Sequence, residues 1–260
     1  MSGRQPVLEL AAVSRRYGSL YAVDDVSLAL SQGSRHAVIG PNGAGKSTLF
    51  DLISGILKPT RGRIVFAGTD ITRRSAHRRT RLGIGRTFQQ SSLFDGLTTR
   101  ENVTLAVQQR RGHAHGLIRP AHTYGDVARR TDELLRLTGL EDVAEMPASS
   151  LSHGHGRQLE VALALATEPS LLLMDEPTAG MSRDEAQRFL TIVTALPPSL
   201  TIAFVEHDMD VVFGFANEIS VLDAGHLIAS GAPETIRGSA EVQEAYLGPG
   251  ERMEELFEVG

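Results

Sequence analysis

The run GPNGAGKST, from Gly40 to Thr48, constrains this chain more than any other stretch. It matches G-x-x-x-x-G-K-[ST], in which glycines admit the tight turns that let successive backbone N–H groups wrap a phosphate. Upstream stands the apolar HAVIG, which reads as a buried strand. From Lys46 the segment KSTLFDLISGI carries apolar residues at helical spacing and ends near Gly55. Strand, glycine loop and helix in that order predict an α/β core with a helix N-terminus aimed at an anion. In such a loop the backbone of Gly40, Pro41, Asn42, Gly43, Ala44, Gly45 and Thr48 surrounds the phosphates, Lys46 neutralises the β and γ oxygens, and the Ser47 hydroxyl binds Mg²⁺.

A second element completes that chemistry. LLLMDEP reads as a buried parallel strand ending in Asp175, where a carboxylate holds the magnesium shell, and Glu176, one residue on, is placed to polarise an attacking water. By itself an Asp-Glu pair at a strand end is as readily a solvated turn; the lysine loop upstream favours chemistry. His207 ends the next strand, TIAFVEH, and can reach a γ-phosphate or the attacking water from that edge. Gln89 and Gln90 are ambiguous from residue type alone, because paired glutamines are ordinary surface residues.

The remaining chain supplies the frame. VLELAAV and VSLAL read as strands, the latter with Val26, Leu28 and Leu30 alternating against Ser27 and Ala29. Residues 73–125 open a mostly helical insert, with Thr98 and Glu101 spaced as a capping box; a periodic helix follows near 126–138, and another runs through Ala166. Ser182 and Glu185 form a second capping box before AQRFLTIVTAL, a hairpin turns at Ala224 and Gly225, and a closing helix covers about 234–247. The basic cluster Arg73, Arg74, Arg78, Arg79 and Arg81 reads either as a solvated helix face or as a contact for anionic headgroups.

Composition narrows the setting. With 26 basic and 31 acidic residues the net charge of −5 offers no general attraction for nucleic acid, and the absence of cysteine excludes disulfides and thiolate metal sites. No run approaches a membrane span and MSGRQPVLEL has no apolar signal core, so a cytoplasmic protein is expected, held at any membrane by another subunit.

Taken together the motifs resemble the nucleotide-binding subunit of an ABC transporter over nearly the whole chain. GPNGAGKST resembles the family's Walker A, LLLMDEP its Walker B, TFQQ its Q-loop, TAGMS its D-loop and EHD its switch histidine, while LSHGHGRQLE stands where the LSGGQ signature belongs. The resemblance implies a P-loop NTPase core of ABC type with an N-terminal antiparallel β subdomain and a helical subdomain. It forms one domain over 1–260, with core parts at about 1–90 and 168–260 and the helical part at about 91–167. It implies ATP hydrolysis with Mg²⁺, with Lys46, Glu176, His207 and Gln89 in the reaction and Ser47, Asp175 and Gln89 about the metal. Adenine falls to Tyr17, with Val23 packing nearby.

The signature of one subunit faces the phosphate loop of another in this family, so Ser152, Gly154 and His155 would meet the γ-phosphate bound by a second ATPase subunit, identical or different. Two departures stand out: His153 replaces the usual first glycine and His155 the usual glutamine. A protonated His155 would add positive charge beside the triphosphate. RTFQQSSLFDGLTTRENV, the segment from EHDMDVVF to APETI, and EAYLG look most like ATPases of branched-chain amino-acid uptake, whose relatives move other small solutes. Their partners are transmembrane permease subunits at the cytoplasmic face of the membrane and, indirectly, an extracytoplasmic solute-binding protein. Phe94 and Leu97 would be exposed contacts for the permease. The alternatives are an ATPase of lipid or lipopolysaccharide export and a non-transport ABC ATPase.

Overall fold

A computed structural model describes residues 6–87, 93–110 and 125–242. Its contacts divide the chain into two compact units, Met1–Arg79 with Pro198–Gly260, and Thr80–Pro197.

The first unit holds an antiparallel sheet of order β2-β1-β4-β5, built from β1 (Pro6–Tyr17), β2 (Leu20–Ser31), β4 (Arg61–Phe66) and β5 (Thr69–Asp70). In β2 the side chains of Val26, Leu28 and Leu30 are buried and those of Asp25, Ser27 and Ala29 exposed, the alternation of a sheet with one wet face. Leu8 and Leu10 of β1 lie opposite Leu30 and Leu28. The ladder then slips between Leu10 and Val13, where Ala12 and Asp25 both take positive φ, and Ser27 Oγ accepts the Ala12 N–H at 3.0 Å.

The same unit holds parallel strands buried along their length: β3 (Arg35–Ile39) between β8 (Thr201–Val205) and β9 (Glu218–Asp223), with β10 (His226–Gly231) returning antiparallel on β9. The hairpin turns at Ala224 and Gly225, both in the left-handed region. Helix α1 (Lys46–Ser54) follows β3, and α7 (Met209–Phe215) follows β8. The expected single closing helix is instead α8 (Pro233–Arg237), ended at Gly238, with a new helical start from Ala240 to Val242. Gly238 interrupts it because glycine gives the helix no propensity to continue; residues beyond 242 lie outside the described part.

Arg79, on α2 (Ala76–Leu82), corrects the reading of the basic cluster as one solvated or lipid-facing set. Its side chain is fully buried and donates to the carbonyls of Leu52 (2.6 Å), Ile53 (2.8 Å), Arg74 (3.1 Å) and Thr72 (3.2 Å). Leu52 and Ile53 carry carbonyls of the last turn of α1, so the guanidinium terminates the helix that begins at Lys46. Burial pushes its pKa down to about 10, leaving it charged at neutral pH.

In the second unit β6 (Ile84–Arg86) pairs in parallel with β7 (Leu171–Asp175), all of whose residues are buried. Helix α3 (Thr99–Arg110) packs on α4 (Gly125–Leu137) and α5 (His153–Ala166), and Val103, Val107, Val127, Leu134 and Leu159 of these helices are buried. The Thr98–Glu101 box is formed in both directions, at 2.8 and 3.1 Å. Buried Asn102 folds the preceding segment over itself, bonding both the N–H and the carbonyl of Phe94 and the carbonyls of Leu97 and Thr98. Phe94 is thereby left 60% exposed, whereas Leu97, expected to be exposed beside it, is half-buried. Helix α6 (Arg183–Thr194) opens with the complete Ser182–Glu185 box.

Candidate functional site

In the first unit, the loop leaving β3 enters α1 through Gly45, whose φ of 101° and lack of a side-chain cap leave the helix start bare. Two of its glycines are required by close approach. A Cβ on Gly40 would sit 2.1 Å from the Leu222 carbonyl oxygen, and one on Gly45 would sit 2.2 Å from that of Ala22. Gly43 has open space around it but a φ of +83°, so its constraint is conformational. Lys46 Nζ curls back to the carbonyls of Gly40 (2.6 Å) and Pro41 (2.9 Å), which holds an ammonium over the cradle.

The hairpin tip supports the loop. Gly225 N–H donates to the Ala44 carbonyl at 3.1 Å, and the Gly225 carbonyl accepts from Asp24 N–H at 2.8 Å. This link, between a turn and a loop far apart in sequence, is absent from any motif. Val23 has no exposed surface and its Cγ2 lies 3.5 Å from a Cβ position on Gly45. It thus packs against the glycine loop. Tyr17 is 45% exposed, and the Arg15 guanidinium, anchored on the Lys58 carbonyl at 3.0 Å, lies 4.6 Å from its ring centroid.

His207 follows β8 in the same unit with its side chain 70% exposed. Its neighbours fix it: buried Glu206 accepts the His207 N–H at 3.1 Å, and Asp208 caps α7 by accepting the N–H groups of Asp210 and Val211.

The second unit carries the other predicted residues. Asp175 closes β7 and is 3% exposed, with Arg86 Nη2 3.4 Å from its Oδ2. Arg86, one register position along β6 where it pairs with Leu173, was missed by motif reasoning because an arginine in GIGRTF has no distinguishing signal. Glu176 takes a φ of +46°, an uncommon value for a non-glycine residue and a conformation that concentrates at functional sites. Ser152 is the N-cap of α5, its Oγ accepting the His155 N–H at 3.2 Å while its own proton remains to donate. Gly154 is buried, with Glu185 Oε1 3.3 Å from where a Cβ would stand. Glu185 is held below the usual carboxylate range first by the Ser182 N–H, then by the Ser182 hydroxyl. Gln89 lies outside the described residues.

A glycine cradle at a bare helix start, topped by a lysine, is the equipment of a P-loop nucleotide-binding protein. The family profile for ABC transporters matches residues 23–179, and a second, for branched-chain amino acid ATP-binding cassette transporters, matches residues 226–248. The chain is 36% identical over 251 residues to the high-affinity branched-chain amino acid transport ATP-binding protein LivG of Salmonella typhimurium, covering 94% of this chain and 98% of that one. A nucleotide-free ATP-binding cassette from an ABC transporter superposes with a TM-score of 0.81 at 28% identity, covering 95% of this chain and 100% of that one. The dimeric bacterial ABC transporter cassette MJ0796 gives 0.73 at 27% identity, covering 86% and 98%. The chain belongs to the ABC transporter family and is one of its ATPase subunits. Among the described residues no helix is long and apolar enough to cross a membrane.

Proposed function

We propose that this subunit hydrolyses ATP to power import of branched-chain amino acids or a related small solute, acting at the cytoplasmic face of the membrane beneath two permease subunits fed by an extracytoplasmic binding protein. The observation that carries the solute class is the 226–248 match, which lies outside the ATPase motifs common to the whole family. The similarity to LivG along almost its full length supports the same reading.

In this reading the Gly40–Thr48 backbone and Lys46 take the phosphates of ATP, and the part-exposed Tyr17 offers its ring to the base. Ser47 and Asp175 supply oxygen ligands of the kind Mg²⁺ prefers, with Gln89 as a further one, and the metal when bound neutralises phosphate charge. From a second ATPase subunit, the α5 start presents the Ser152 hydroxyl and the backbone about Gly154 and His155 to the γ-phosphate; the dimeric cassette among the relatives supports such pairing. Glu176 accepts hydrogen-bonding from the attacking water and His207 steadies the γ-phosphate side. Closure around ATP is passed to the permease through the segment containing Gln89 and Phe94.

Glu176→Gln is expected to abolish turnover and to accumulate an ATP-bound dimer, visible by size-exclusion chromatography. Normal hydrolysis by that variant removes Glu176 from the reaction. Reconstitution with the permease tests the cargo: ATPase stimulation by a binding protein loaded with leucine, isoleucine or valine supports import, and stimulation by lipopolysaccharide instead supports export.

A further inference from the structure

We infer that His153 is a positioning residue for hydrolysis, holding from the signature helix the backbone turn that carries Glu176. The inference rests on the reading of Glu176 above and adds a device that a glycine at position 153 could not provide.

The imidazole Nε2 of His153 lies 3.0 Å from the Ala179 carbonyl oxygen, twenty-six residues further along the chain. Ala179 in turn donates its own N–H to the Glu176 carbonyl at 3.1 Å. Ala179 is thus gripped on both sides, and the turn from Glu176 to Ala179 is tied to the start of α5. The next residue, Gly180, has a φ of +78°, and a Cβ there would stand 3.1 Å from the same imidazole nitrogen. The ring therefore rests directly against the loop, in a place that a side chain at 180 would contest.

The ring's own base is fixed too. Ser152 caps the helix at His155, and the Ser182–Glu185 box sets the end of the same loop, with Glu185 beside Gly154. Met181 N–H closes a second turn on the Thr178 carbonyl at 3.1 Å. Glu176 occupies a left-handed conformation that a non-glycine residue rarely adopts, and such a residue keeps its geometry only when its surroundings over-determine it. The Nε2–H donor of His153 supplies one of those determinants, so its loss lets Glu176 spend time off the position that orients water.

The test compares His153→Ala with His153→Gln in the full chain, the glutamine amide N–H reaching the site of Nε2. His153→Ala is expected to lower kcat about three- to tenfold, the range of one net hydrogen bond. ATP binding to the monomer should stay at the wild-type value, because the contacts of His153, with Ala179, Gly180 and the Glu185 charge, lie outside the Gly40–Thr48 loop, and the thermal midpoint should fall by no more than about 6 °C, the cost of one net hydrogen bond. His153→Gln should recover most of the lost kcat. Wild-type kcat in His153→Ala, a loss that appears in ATP binding instead, or no recovery in His153→Gln overturns the assignment. Glu176→Gln is measured in parallel: its normal turnover would overturn the underlying reading, whereas an inactive Glu176→Gln beside a fully active His153→Ala sinks only this one.

Discussion

Arg79→Met is the substitution whose outcome the structure constrains most tightly. The side chain is fully buried and donates to four carbonyls, two of them from the last turn of α1, and it packs closely against Gly55: a Cβ there would come 2.8 Å from Arg79 Nε. Methionine fills much of the space but donates nothing. Leaving the Leu52 and Ile53 carbonyls without their guanidinium costs about 1 to 3 kcal/mol each. Against this stands the relief of desolvating a cation, whose cost is visible in a pKa lowered to about 10. The balance is a loss of roughly 2 to 4 kcal/mol, equivalent to about 4 to 16 °C in Tm at 2 to 4 °C per kcal/mol for a domain of this size. Arg79→Lys should fall between, since one ammonium cannot span the fork's acceptors. Arg78, next to it and exposed, is the control: Arg78→Met should stay within about 0.5 kcal/mol of wild type. Thermal unfolding followed by circular dichroism, with urea midpoints beside it, measures all three. Equal melting of Arg79→Met and Arg78→Met would refute the argument that buried carbonyls need this donor.

Two further outcomes follow from local geometry. Gly45→Ala puts a Cβ 2.2 Å from the Ala22 carbonyl oxygen at a φ of +101°, so the loop must shift; ATP affinity by titration calorimetry should fall roughly tenfold or more, from strain on the order of 1 to 3 kcal/mol. Asp70 is held down to about 2 by the Thr72 hydroxyl, the Thr72 N–H and Arg63, so its contribution to stability is present above its ordinary value of 3.8 and disappears as pH falls through about 2. Urea midpoints of wild type and Asp70→Asn should differ above about pH 4 and converge toward pH 2; a gap that does not change with pH would contradict the assignment.

What could be read from the sequence shares one property: its cause is local. The glycine loop needs positive φ and close approach within a few residues, the capping boxes at Thr98 and Ser182 span four, and the Ala224–Gly225 turn spans two. Strand β2 declared itself by period-two alternation over its own length. The short strands β4, β5 and β6 did not, because RGRIVF and GIGR mix charge with too few apolar positions to show a period.

The composition and motifs of the chain determined by themselves that it binds nucleotide through a lysine-topped glycine loop, because backbone N–H donors, a helix start and a cation can be specified within nine consecutive residues. Tertiary structure alone decided which of five neighbouring arginines is buried, that Val23 packs against the glycine loop, that Gly225 braces Ala44, and that His153 reaches Ala179. These contacts join residues twenty or more positions apart. No local pattern encodes them, since whether a polar side chain meets water or a buried carbonyl is settled only when distant segments pack and leave that carbonyl in need of a donor.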